Sequence, residues 1–128
     1  MDRSPDWLKQ AERDYRLGVI SAADEFHEWA AFAAQQSAEK ATKALAQFLH
    51  GSARGHSITT ILLSLSSSVE VPPDIVDAAR ELDQVYVTAR YPNGFVSGAP
   101  ADYFTAKTSD RLLGHAQRIL EFCRSKIR

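Results

Sequence analysis

The chain has 128 residues and only one cysteine, Cys123. It can close no internal disulfide and cannot form a multi-cysteine metal site. Long apolar runs are also absent. The longest is Trp29 to Ala34, far short of the roughly 20 residues that a membrane-spanning helix needs. The opening Met1-Asp2-Arg3-Ser4-Pro5-Asp6-Trp7 is polar and carries no apolar signal region, so the expectation is a cytoplasmic chain. Neither sign of charge dominates. Fifteen Lys and Arg against sixteen Asp and Glu leave a net charge of −1, which argues against a protein whose main business is coating nucleic acid. There is no P-loop, no Gly-rich phosphate cradle and no Ser-His-Asp order, and no segment alternates like a strand for more than four residues.

What remains is an ordinary globular composition, 45% hydrophobic and 24% charged. The length predicts a single domain over residues 1–128, enough to bury about two thirds of the unfolded chain's surface. The near-zero charge hides an asymmetry. Residues 1–101 carry nine basic and thirteen acidic side chains, whereas 102–128 carry six basic (Lys107, Arg111, Arg118, Arg124, Lys126, Arg128) against three acidic. A basic final helix can line an anion site, or it can be a solvated face that complements the negative helix C-terminus.

Periodicity at steps of three and four predicts an all-α chain of four to five helices in an up-and-down bundle. The first helix runs from about Pro5 to Ala22, with Ser4 as its cap and Leu8, Ala11, Tyr15, Val19 and Ala22 inward. The second, about Asp24 to His50, is marked by Phe26, Trp29, Ala33, Ser37, Ala41, Ala44, Leu45 and Phe48, with Gly51 as its C-terminal cap. It is apolar or small on more than one side, which predicts a second covered face and hence a homodimer. After the link Gly51 to His56 comes a third helix near Ser57 to Ser66, and Pro72-Pro73 starts the fourth. Arg90-Tyr91-Pro92-Asn93-Gly94 stops that helix. An open loop is expected to Pro100, then a last helix from about Asp102 to Lys126. The predicted core includes Trp29, Phe48, Ile61, Leu82, Val85, Leu113, Ile119 and Leu120.

Few residues invite chemistry. The histidines, His27, His50, His56 and His115, are scattered, and none shares a helical metal-ligand spacing with another ligand, so no metal is implied. His50 reads as a surface residue and His115 as a partly buried, hydrogen-bonded one. His56 opens the third helix beside Ser57, where backbone N–H groups favour anions; equally, the pair can simply cap that helix. Gln36, Glu39 and Lys43 interrupt the Ala-rich second helix on one stripe. They read either as a solvent face with a Glu39–Lys43 pair or as the polar floor of a groove. Arg90 can fork two hydrogen bonds onto a phosphate and Tyr91 can stack on a base; alternatively Arg90 caps the fourth helix and Tyr91 packs inward. The spacing alone identifies no catalytic residue.

Three strings in order carry a resemblance: Phe32 to Leu45 (FAAQQSAEKATKAL), Gly55-His56-Ser57, and Arg90-Tyr91-Pro92-Asn93, preceded by Asp6-Trp7-Leu8 and Ala11-Glu12. Together they are similar to the HEPN domain family over nearly the whole chain. The resemblance implies an up-and-down helical bundle that usually dimerises and needs no cofactor. It further implies a cytoplasmic toxin–antitoxin-like setting, often beside a small nucleotidyltransferase of the MNT type; if such a partner modifies a tyrosine, the candidates are Tyr86, Tyr91 and Tyr103. Family members serve as ribonuclease toxins, as MNT partners or as nucleotide-binding modules. Ribonuclease members carry an Arg, then four to six intervening residues, then a His. Arg90 matches that arginine, but Gly94, Phe95, Val96 and Ser97 follow where the histidine belongs, and Arg111 precedes His115 with only three residues between them. The expectation is therefore a non-nucleolytic module whose ligand cleft combines His56, Arg90 and Tyr91 with Gln36, Glu39 and Lys43. The alternative is a ribonuclease with a degenerate motif.

Overall fold

The structure, a computed structural model, describes residues 2–51 and 53–127. Ser52 of the link and Arg128 of the basic C-terminal set lie outside the described residues. Among those described there are seven α-helices and no strand: α1 (Ser4–Ala23), α2 (His27–Phe48), α3 (Ile58–Ser64), α4 (Pro73–Asp83), α5 (Val85–Thr88), α6 (Pro100–Tyr103) and α7 (Ala106–Lys126). A 3₁₀ turn spans Pro92–Gly94. The expected fourth helix is present as α4 and α5, and the expected last helix as α6 and α7.

α2 is the axis of the bundle. α1 folds back along it, with Ser37 Oγ donating to the Ala11 carbonyl at 2.7 Å and Arg3 N to Gln47 Oε1 at 3.0 Å. α7 runs parallel to α2, so that His27 meets Ser109 at 2.9 Å near one end and Thr42 meets Cys123 near the other. The close approach is possible because α2 offers methyl groups where most helices offer long side chains. Ala30, Ala31, Ala34, Ala38, Ala41, Ala44 and Ala46 are all fully buried. Cys123 is buried among them, and burial pushes its thiol up to about 12.

Several sequence expectations are corrected. The small residues on the further faces of α2 are covered by α1, α7 and α3 within the chain itself, so they do not form a free second face. Leu82, Val85, Ile61, Leu113, Ile119 and Leu120 are buried as predicted, but Trp29 is 50% exposed and Phe48 only partly covered. Phe26 and Val19, at the α1–α2 end of the bundle, are also exposed. Ser4 is buried inside the first turn of α1. Asp2 does the capping, its Oδ1 accepting from Ser4 N at 2.8 Å, and that bond holds the Asp2 carboxyl below its usual range. Gly51 is not the left-handed residue after α2. His50 is, at φ 58°, and Glu25 plays the same part after α1 at φ 68°. Both close the same motif: Phe26 N bonds Ser21 O and Gly51 N bonds Ala46 O, each at 2.8 Å. The loop before α6 is not open. Phe95 stacks on Tyr103 at 4.2 Å, and Tyr103 Oη donates to Ser97 O at 2.6 Å.

Three outcomes are expected. Glu25→Gly, which removes a side chain from a left-handed position, should raise stability by about 0.5–1 kcal/mol in denaturant titrations. Leu120→Ala should lower it by about 2–5 kcal/mol. Cys123 should resist a thiol reagent until the chain unfolds. Because its folded pKa is raised, its contribution to stability is complete below the ordinary thiol pKa of 9.0 and is lost as pH rises towards about 12.

Candidate functional site

Glu39 lies in the middle of α2, 3% exposed, with its carboxylate facing the link before α3. A buried carboxylate must be surrounded by donors. Lys43, one turn on, reaches Oε2 at 3.1 Å, and Gln35 Nε2, one turn back, reaches Oε1 at 3.2 Å. Gln36 Nε2 stands 3.5 Å from the same oxygen. The fourth donor is His56 Nδ1, at 3.2 Å from both oxygens. Gln35 also bonds the His56 carbonyl oxygen at 3.2 Å, which fixes the backbone as well as the ring. The stripe of Gln36, Glu39 and Lys43 is therefore not a solvent face. Its Glu39–Lys43 pair exists, but it is largely buried and serves to position His56.

His56 does not present an anion to the N-terminus of α3. That place is taken by Asp83 from the end of α4, whose carboxylate accepts from Ile58 N at 2.8 Å and from Thr59 N and Ser57 Oγ, each at 3.1 Å. An internal carboxylate thus answers the orphan N–H groups of this helix, and Ser57 accepts from Thr60 N beneath it. The ring of His56 instead lies flat on Tyr86, with centroids 4.4 Å apart and an interplanar angle of 18°.

Arg90 approaches Tyr86 from the other side. Its guanidinium stands 4.7 Å from the Tyr86 ring, 4.4 Å from Phe32 and 5.1 Å from Tyr91. Nε and Nη2 both donate to the Tyr86 carbonyl, at 3.0 and 2.7 Å, so Arg90 does cap its own helix. The Nη1 edge has no partner among the described residues. Tyr91 is half exposed and does not pack inward. His56, Arg90, Tyr91, Gln36, Glu39 and Lys43 therefore form one connected group, joined through Tyr86, Phe32 and Gln35. Sequence reasoning missed those three as members of the group. Phe32 entered as the first residue of the family string and Tyr86 as a candidate for modification, and the fully buried Gln35 had no periodic signal separating it from its neighbour Gln36. Asp83 was missed too, because a carboxylate at the end of one helix gives no sign that it caps another.

The group joins a carboxylate-held imidazole, more than half exposed, to a cation stacked among aromatic rings. Such an arrangement can bind an anion at Arg90 and exchange a proton at the free nitrogen of His56. Among the described residues no three His, Cys, Asp or Glu side chains come together as a metal site. Arg111 and His115 lie elsewhere, on α7. Arg111 bonds Glu81 of α4 at 3.0 Å, and His115 Nε2 lies 3.2 Å from the same oxygen without hydrogen-bond alignment. The Arg111 bond, chiefly, holds the Glu81 carboxyl below its usual range.

Comparisons with known proteins bear on the whole chain. The HEPN domain family model matches residues 4–126. The crystal structure of TT1696 from Thermus thermophilus superposes with a TM-score of 0.95 at 40% identity, covering 98% of this chain and 99% of that one. ST0689, an archaeal HEPN homologue, gives 0.86 at 39% identity with 100% of both chains covered. An HEPN domain protein (tm0613) from Thermotoga maritima gives 0.77 at 32%, covering 94% and 95%. No curated protein matches. Among the described residues no helix is long and apolar enough to cross a membrane.

The site's own architecture is testable without a ligand. Asp83→Ala should cost about 1–3 kcal/mol, the range for a lost charged hydrogen-bond partner. It should also speed hydrogen exchange at the Ile58 and Thr59 amides.

Proposed function

The chain belongs to the HEPN domain family, and from that premise we propose that it is a non-nucleolytic module that binds a nucleotide or another phosphate-bearing ligand at Arg90. The observation that carries this reading is the guanidinium itself, held by the Tyr86 carbonyl and three aromatic rings with its Nη1 edge unpartnered among the described residues. A cation fixed in this way loses little side-chain freedom when a phosphate arrives. His56, held by Glu39, adds a second donor when protonated, and Tyr91 adds an exposed ring and hydroxyl. Gln36, Glu39 and Lys43 set the floor.

The module acts as a homodimer and pairs with an MNT-type nucleotidyltransferase in a cytoplasmic toxin–antitoxin-like system. Support for the dimer no longer comes from the small residues of α2, which are covered within the chain. It comes from Val19, Ile20 and Phe26, each about half exposed at the α1–α2 end of the bundle. Sedimentation equilibrium should give a mass that rises above 14.2 kDa with concentration. A small nucleotidyltransferase encoded next to this chain would support the pairing.

One observation favours a second reading, a ribonuclease. The Glu39–His56 pair is a carboxylate-held imidazole able to act as a general base, although it stands outside the family's Arg…His spacing. Incubation with mixed RNA decides between the readings: cleavage that disappears in His56→Ala would establish the second.

For the first reading, Arg90→Ala should weaken adenosine 5′-monophosphate binding by about 1.5–3 kcal/mol in isothermal titration while leaving the helical far-ultraviolet signal in place. Loss of the helical signal in that variant, with no binding by the parent chain, would make Arg90 a structural cap only.

A further inference from the structure

Beside the Arg90 group runs a groove of about 260 Å³ between α1 and α2, lined by Asp14, Leu17, Trp29, Phe32, Gln36 and Lys40 among others. We infer that this groove is a nucleobase subsite, which takes a purine or pyrimidine bearing an exocyclic amino group while the attached phosphate lies at Arg90. The inference rests on the phosphate-binding reading above and names the other half of that ligand.

The aromatic wall is Trp29. Half its surface faces solvent, although it stands edge-on to Phe32 with centroids 6.3 Å apart and an interplanar angle of 83°. Phe32 is shared between the two halves, because its ring also carries the Arg90 guanidinium at 4.4 Å. A stacking surface and a phosphate-sized cation therefore flank one phenyl ring, as a ligand with a planar end and an anionic end requires.

The hydrogen-bond network fixes the polarity of the wall. Gln35 Nε2 faces two groups that can only accept, the Glu39 carboxylate and the His56 carbonyl, so its amide orientation is determined. Gln35 Oε1 is then the acceptor for Gln36 Nε2 at 2.8 Å. That bond in turn fixes Gln36, whose Oε1 is left without a partner among the described residues. A carbonyl beside a stacking ring accepts from an amino group, such as that of adenine or cytosine. The charged residues of the groove do not compete. Lys40 is paired with Asp14, and the other Asp14 oxygen accepts from Gln10 at 2.9 Å. A neutral planar group suits this wall better than a second anion.

The test uses Trp7→Phe, which leaves Trp29 as the sole tryptophan. Adenosine 5′-monophosphate should quench Trp29 emission on binding, whereas ribose 5-phosphate should bind without quenching. Trp29→Ala should weaken the nucleotide at least about fivefold and leave ribose 5-phosphate unchanged, since one stacked base is lost. Inosine 5′-monophosphate, which lacks the amino group, should bind a few-fold more weakly than the adenine nucleotide. Equal binding of nucleotide and ribose 5-phosphate, unaffected by Trp29→Ala, overturns the base subsite and leaves the phosphate reading standing. Binding of neither removes both. A Trp29 emission that shifts on dilution and ignores the nucleotide assigns the groove to a second copy of the chain and also overturns the inference.

Discussion

A carboxylate buried in the middle of an alanine-rich helix organises one whole side of this molecule. Glu39 cannot remain charged in that position without donors, and it draws them from four side chains on two segments. Three belong to its own helix and cost little to align. The fourth, His56, lies on the link to α3, and holding it pins that link against α2. The flat stack of His56 on Tyr86 then carries the constraint to α5, and Tyr86 passes it to Arg90 through its ring and its carbonyl. The order runs from buried charge to loop position, from loop position to aromatic stack, and from stack to an oriented cation.

This chain of dependence relies on the small residues of α2. With methyl groups on most sides, the helix is approached closely by α1 and α7 and takes up the centre of the bundle. The polar stripe must therefore be satisfied within the fold and not by water. Asp83 performs the matching task on the other side of the link, where it fills the N-terminus of α3 and stops that helix end from being an anion site. An internal carboxylate thus occupies the helix end where an external anion was most easily imagined. Within this group Arg90 is left as a cation with an open edge among the described residues.

Much of this was legible in the residues. The helical segments follow from three-and-four periodicity and from Pro and Gly punctuation, and the strings around Phe32 to Leu45, His56 and Arg90 already indicated the family. Trp29, Phe26 and Phe48 misled for a shared reason: periodicity ranks residues on a helix face but does not say how much of that face a partner covers. Gly51 misled because a glycine next to a helix end looks like the left-handed residue, while the backbone placed His50 there. The polar stripe was recognised but its partners were not, since Gln35, Asp83 and Tyr86 act across segments that are distant in sequence. Their roles depend on the angle between α2 and α3, which no local pattern encodes.

The central claim, that the group around Glu39, His56 and Arg90 forms a binding site for a phosphate-bearing ligand, is tested most directly by an amide chemical-shift titration with adenosine 5′-monophosphate. The account predicts saturable shifts concentrated at Gln36, Glu39, His56, Arg90 and Tyr91, with the amides of α7 around Arg111 and His115 unmoved. Shifts confined to α7, or none at ligand concentrations that saturate ordinary nucleotide sites, would contradict it.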